Sequence, residues 1–275
     1  ISGYGQTGPK AGTAAYDGAI QADSGMMSIT GYPETGPTRT GYMPVDMGTA
    51  LNAAFAISAA LFRRQATGEG QHLDVAMMDT ALVLQTTQLA NYLDHGKLPP
   101  LLGNRSPTGH PTANSFATAD GHINVLALRD HQVEKLFAAL EREELLEQDA
   151  FSSSPARMQH YDEVRDTVAA IIQDKPTAHW LAALSQHGVP AAEIRGYPEL
   201  LADPQFAHRN VFIDFPKAAD PRQTSRLIRA GYQTDTDSPD TDLAPPLLGQ
   251  HSREILLAAG YDDKQIDTWQ AEGVI

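Results

Sequence analysis

The sequence predicts an α/β protein. Three observations carry that expectation: an Ala-rich run from Met47 to Gln65 with helical spacing, a period-two stretch HLDVAM just after it, and two alternating segments joined at Asp120-Gly121. Helix, turn, strand and helix in succession are the units from which α/β folds are assembled. At 275 residues the chain can bury a large core in one or two domains.

Taken in order, residues 1 to 46 are rich in Gly, Thr, Pro and Tyr and read as loops with short helical turns. From Met47 to Gln65 one stripe of Leu51, Phe55, Ser58 and Phe62 lies beside another of Ala54, Ile57 and Leu61, which predicts a helix with a broad buried face. Arg63 and Arg64 suit its C-terminal end, where cations meet the negative pole of the helix dipole. TGEGQ is a turn, and in HLDVAM the residues Leu73, Val75 and Met77 alternate with His72, Asp74 and Ala76, the pattern of a strand. A second helix is predicted from Met78 to Leu93, with Asp79 placed to accept unpaired N–H groups at its start.

The loop HGKLPPLLGNRSPTGHP, rich in Pro and Gly, predicts a domain crossing. NSFATADGHINVLAL then reads as a hairpin, because Asp-Gly is a favoured two-residue turn. Residues 130 to 187 are predicted to be mostly helical, with HQVEKLFAALE, YDEVRDTVAAIIQ and TAHWLAALSQ each carrying a one-sided apolar face. GVPAAEI and ELLADPQFAHRNVF lead out of this block, and the tail offers two short helices.

Composition removes several function classes. A formal net charge of −14 with no Lys/Arg run argues against a nucleic-acid partner, which needs a concentrated basic face. With no Cys there is no thiolate nucleophile, disulfide framework or zinc–cysteine site, a composition that fits the cytoplasm. Apolar stretches are interrupted by polar residues before about 18 positions, so no membrane span is expected. Nor does a basic, then apolar, secretory leader open the sequence.

Few stretches carry recognisable chemistry. Gly3-Tyr4-Gly5-Gln6-Thr7-Gly8 matches the letters of a dinucleotide loop, but only two residues precede it and Pro9 and Gly12 interrupt any helix after it. A glycine-rich exit from a strand is the better reading. No G-x-S-x-G elbow, phosphate-binding loop or H-E-x-x-H helix occurs, and the ten histidines are scattered without metal-ligand spacing, so no metal is expected. Asp46 stands out at the start of the Ala-rich helix. Spacing alone favours an N-cap there, yet the same place suits a carboxylate nucleophile, with the small residues Gly48, Thr49 and Ala50 leaving room for a ligand. Tyr16-Asp17 is similarly open between packing and substrate contact.

ISGYGQTGP, YDGAIQADSGMMSITG, PVDMGTALNAAFAISAALFRRQATGEGQHLDVAMMD, GNRSPTGHPTANSFATADGHINVLA, GVPAAEI, LADPQF and PLLGQHSREIL together resemble the family III CoA-transferases, in order and across nearly the whole sequence. The likeness is to the C-terminal two-thirds of such proteins. It implies an α/β fold with a large Rossmann-like domain, a smaller α+β domain, and two subunits interlocked as a homodimer. Residues 1 to 95 are then part of the large domain and a linker helix, 96 to 215 the small domain with its linkers, and 216 to 275 the return to the large domain.

The resemblance also implies that Asp46 is the catalytic carboxylate, forming an anhydride with the acyl group and then a thioester with CoA. Tyr16 and Met77 match residues near CoA in the formyl-CoA transferase branch, and Gly109 and His110 fall in a loop that closes over the site. Coenzyme A is a substrate and no cofactor is tightly bound; the partners are acyl-CoA and a small carboxylic acid. The racemases of the family need a His at the position of Tyr16 and a later Glu that LALRDHQ does not supply, so transfer is favoured over racemisation.

Overall fold

A computed structural model describes residues 1 to 216, 224 to 236 and 243 to 275. They pack as two compact units, Ile1–Ile194 and Arg195–Ile275.

The first unit opens with α1 (Asp17–Asp23), a 3₁₀ turn at Met26–Ile29, and a minimal hairpin of β1 (Gly31–Tyr32) and β2 (Gly36–Pro37). α2 (Pro44–Thr67) starts on a proline, whose fixed φ and missing N–H suit the first helical position. It stops at Gly68, which takes a left-handed φ of 76° and returns its N–H to the Arg64 carbonyl at 2.8 Å.

Next come α3 (Met77–Leu84) and α4 (Thr86–His95), where the sequence predicts one helix from Met78 to Leu93. The run breaks at Gln85, whose buried side chain donates to the Ala81 carbonyl at 2.9 Å and to the Ser24 carbonyl at 3.3 Å. Its own N–H bonds the Leu82 carbonyl, three residues back, which tightens the turn before the β-branched pair Thr86-Thr87. Asp79 makes no capping bond at the start of α3.

HLDVAM forms no named strand, because α3 takes Met77 into its first turn. What remains is one parallel bridge, Ser2 to Ala76, with Ser2 donating to Val75 at 3.1 Å and Met77 donating to Ser2 at 2.9 Å. The opening glycines are thus the exit from an extended segment, and no helix begins at Gly8; the next one starts at Asp17. Gly3 is required for another reason: a Cβ there would stand 2.3 Å from the Ala15 methyl. Around these elements lies a small core of Ile20, Met26, Val45 and Ala81.

A larger core sits on the sheet formed by β3 (Ala113–Ala117) and β4 (His122–Leu126), antiparallel and in register with Ala117 opposite His122 across the predicted Asp-Gly turn. α5 (Asp130–Ala139), α6 (Ser154–Gln159), α7 (Tyr161–Gln173) and α8 (Thr177–Gln186) follow, and β5 (Ala191–Glu193) pairs with the free edge of β4. α7 and α8 match their predicted bounds because their apolar faces are unambiguous: Val164, Val168 and Ile172 recur every fourth residue and all are buried. Trp180 closes the core, its indole N–H bonded to the Ile172 carbonyl at 2.6 Å.

The predicted broad buried face of α2 is not buried. Val45, Thr49 and Ala53 are its fully buried residues, all in its N-terminal half, where α1 and α3 pack. Leu51, Phe55 and Phe62 are 71%, 74% and 76% exposed. α2 is also long and apolar enough, by length and composition, to cross a membrane, which departs from the expectation that no segment is. Alanine carries much of that apolarity, and the two arginines stand at its far end.

In the second unit, α9 (Tyr197–Leu201) and α10 (Pro204–His208) precede β6 (Phe212–Pro216) and β7 (Thr224–Ile228), an antiparallel pair. The two predicted tail helices are α11 (Ser252–Ala258) and α12 (Asp263–Ala271), joined by Arg253, which pairs with Asp263 at 2.5 Å and also with Asp267. All named sheets among the described residues are antiparallel. We propose the domain division at residues 96 and 216; part of its last segment, 217 to 223 and 237 to 242, lies outside the described residues.

Candidate active site

Asp46 is the third residue of α2, set there by the helix start at Pro44. It does not cap the helix. The N-cap position is Met43, which offers no side-chain acceptor. Capping comes from elsewhere in the sequence: Asp17 Oδ2 accepts the N–H groups of Val45 at 2.8 Å and Asp46 at 3.0 Å. Asp17 Oδ1 accepts the Gln21 amide at 2.5 Å, and Gln21 Oε1 accepts the Thr40 N–H at 3.1 Å. With Asp17 only 6% exposed, this network holds α1, the 39–43 segment and the head of α2 together.

Two consequences follow for the chemistry. First, the Asp46 carboxylate is exposed and makes no hydrogen bond among the described residues, so it is not spent on structure. Second, the N–H groups of Val45 and Asp46 are already occupied, and Met47 donates to the Met43 carbonyl at 3.2 Å. Oxyanion stabilisation by backbone N–H groups therefore cannot come from this first turn.

Asp46 opens onto a cavity of about 390 Å³, a size typical of small-molecule sites. It is lined by Tyr16, Asp17, Gly18 and Gln21 at the start of α1 and by residues 39 to 43. The room is made by Gly18 and Gly41 rather than by the residues after Asp46. Gly48 packs against α3 instead, where a Cβ would sit 3.1 Å from a Leu84 methyl, and Thr49 is buried with its hydroxyl unpaired.

Of the residues singled out from sequence, the cavity brings together Asp46 and Tyr16, the latter at the mouth and 83% exposed. Met77 packs against the small core of Ile20 and Val45 and does not line the cavity. Gly109 and His110 do not line it either. They form tight turns, Gly109 donating to Ser106 at 3.1 Å and Ala113 donating to His110 at 3.2 Å, and the buried His110 Nδ1 has no partner.

Two residues escaped the sequence reading. Asp17 appeared there only as a neighbour of Tyr16; the signal for its role is Asp17 and Gln21 at i, i+4 on a short helix, a pair that side-chain hydrogen bonding favours. Arg39 carried no signal except as an isolated cation in TRTGYMP. It is the one basic residue lining the cavity among the described residues.

The family model for CoA-transferase family III matches residues 1–252. The chain belongs to that family. Its relatives include the succinate–glutarate CoA-transferase of Agrobacterium fabrum, 33% identical over 93% of this chain and 63% of that protein. The succinyl-CoA:mesaconate CoA-transferase of Haloarcula hispanica is 34% identical over 94% of this chain and 65% of that protein. Among solved structures, a CAIB/BAIF family protein from Brucella suis superposes with a TM-score of 0.80 at 31% identity, over 94% of this chain and 66% of that one. The fold of this family III chain is therefore the mixed helix-and-strand fold of CAIB/BAIF proteins, and the chain spans about 60% of the length of the curated relatives it matches.

Proposed function

We propose that this chain carries the nucleophile of a CoA-transferase, Asp46, and that the native protein moves CoA from an acyl-CoA to a small carboxylic acid. An Asp46 carboxylate oxygen attacks the thioester carbonyl, giving a mixed anhydride and CoA thiolate. The thiolate then attacks the aspartyl carbonyl, forming aspartyl-CoA thioester and releasing the donor acid. A carboxylate oxygen of the acceptor attacks that thioester and expels the thiolate again. Last, the thiolate attacks the acceptor carbonyl of the new anhydride, which frees the Asp46 carboxylate and the product acyl-CoA. Splitting one difficult transfer into such exchanges is the usual advantage of a covalent route, and it needs water kept out while the anhydride lives.

The observation that carries this reading is the capping of α2 by Asp17, which leaves Asp46 an uncommitted carboxylate facing the cavity. Helix position adds to it, since a carboxylate in the first turn of a 24-residue helix is favoured by the helix dipole. Tyr16 is proposed to contact the substrate at the mouth. Met77 backs the small core behind the CoA site in this reading, while Gly109 and His110 make lid contacts only when their loop closes.

Racemisation is the second reading, and the site disfavours it. No His or Glu lines the cavity among the described residues, and Asp17 is tied up as a cap, so two opposed acid–base groups are lacking. A donor–acceptor screen on the native-length protein separates the two. Exchange of CoA between labelled acids, with no deuterium entering the α-carbon from heavy water, is expected; deuterium uptake without CoA exchange would reverse the assignment. We also propose a homodimer, on the family resemblance and the exposed face of α2.

A further inference from the structure

Arg39 lines the cavity together with Asp17 and Asp46 and is the one basic residue there among the described residues. The chain carries a formal net charge of −14, with 34 acidic residues. Several arginines among the described residues pair with a carboxylate, as Arg63, Arg105, Arg157, Arg165, Arg195, Arg226 and Arg253 do, whereas Arg64, Arg129, Arg142 and Arg209, which do not line the cavity, pair with none. Arg39 pairs with none, although Asp17 and Asp46 line the same cavity, and one of its guanidinium nitrogens lies 3.7 Å from where a Cβ would stand on Gly18. The guanidinium therefore lies against the backbone of one wall with its donors left over.

The proposed reaction presents a specific use for those donors. A dicarboxylate acceptor brings two charges into the cavity, and only one is consumed by attack on the Asp46 thioester. Its other carboxylate enters next to Asp17 and Asp46, in a protein that repels it at range. Without a partner it would lose hydration uncompensated, at a large free-energy penalty. A guanidinium matches a carboxylate with two parallel N–H···O bonds, which gives direction as well as charge. We infer that Arg39 holds the non-reacting carboxylate of a dicarboxylic acid acceptor and sets the selectivity of the site for dicarboxylates over monocarboxylates. The inference rests on the proposed transferase reading, and it fits the names of two relatives, which transfer CoA with succinate, glutarate or mesaconate.

Glutarate and glutaramate test it, because the second differs only in carrying a neutral amide where the first has its distal carboxylate. With a fixed acyl-CoA donor, the ratio of kcat/KM for glutarate to that for glutaramate is expected to fall about 100-fold in Arg39→Met, and by less in Arg39→Lys, which keeps the charge but loses the fork. An unchanged ratio, with both acceptors falling equally or neither falling, would overturn the assignment. Hydroxylamine trapping of the acylated Asp46 separates this result from the underlying reading: trapping that persists in Arg39→Met while the ratio stays put leaves the nucleophile in place and removes Arg39. If the wild-type protein transfers CoA to no acceptor, calorimetry with glutarate alone decides. Arg39-dependent binding then supports the dicarboxylate site without the transferase, and binding indifferent to Arg39→Met overturns it.

Discussion

At the scale of single residues, the site is organised by a division of labour between two aspartates twenty-nine positions apart. Asp17 is buried and accepts three donors; Asp46 is exposed and accepts none among the described residues. Asp17→Ala would leave the N–H groups of Val45 and Asp46 without their acceptor, and a stability loss of about 1–3 kcal/mol is expected in denaturant titration. The activity loss should be larger than that loss of fold, because the 39–43 wall and Gln21 are released together. Wild-type-like stability in Asp17→Ala would show that the head of α2 does not depend on this contact. Sequence spacing marks Asp46 but cannot separate nucleophile from cap, since both want a carboxylate at a helix start. The long-range Asp17 contact removes the cap reading, and the nucleophile is the role we propose for the carboxylate that is left.

At the scale of elements, a second acidic residue ties distant segments in the same manner. Asp120, in the β3–β4 turn, accepts the Thr177 N–H at 2.8 Å and the Thr177 hydroxyl at 2.9 Å, closing the start of α8 where Pro176 offers no side-chain cap. Those bonds from Thr177, backbone first, hold the Asp120 carboxyl below its usual range. A depressed carboxylate contributes stability above its unfolded pKa, near 3.8, and loses that contribution as the pH falls through the lower folded value. Asp120→Asn is therefore expected to lower the thermal midpoint at neutral pH, with the gap to wild type narrowing below about pH 4. A gap that is the same at pH 3 and pH 7 would show that the charge is not what matters.

The same scale explains which elements were legible. α7 and α8 declare themselves because every apolar position on one face is buried by its neighbours. The Asp-Gly hairpin needs only its own turn chemistry. The 78–93 helix and the HLDVAM strand fail for the opposite reason: Gln85 bonds to Ser24 from sixty-one residues away, and Ala76 has a single bridging partner in Ser2. Neither fact is local, and neither leaves a periodic trace.

At the scale of the whole molecule, the large unexplained surface is α2. Helical spacing assigns its Leu51, Phe55 and Phe62 to a core, but they are exposed, and spacing cannot say what covers a face. The proposed homodimer would cover it with a second copy. Sedimentation velocity of the native-length protein is expected to give a dimer that Phe55→Asp shifts toward monomer, since a charge there would be buried unpaired. A monomeric wild type, or a dimer indifferent to Phe55→Asp, would move the interface elsewhere. Family membership was legible at this scale because seven segments keep their order and spacing, whereas the role proposed for Arg39 was not, because only the fold brings it to the same cavity as Asp46.

The central claim is that Asp46, freed from capping by Asp17, is the group that becomes acylated. The native-length protein incubated with an acyl-CoA, trapped with hydroxylamine and mapped by peptide mass spectrometry tests it most directly. Modification confined to the peptide bearing Asp46, and absent in Asp46→Asn, is the expected result. Label on another carboxylate, or turnover that survives Asp46→Asn, would contradict it.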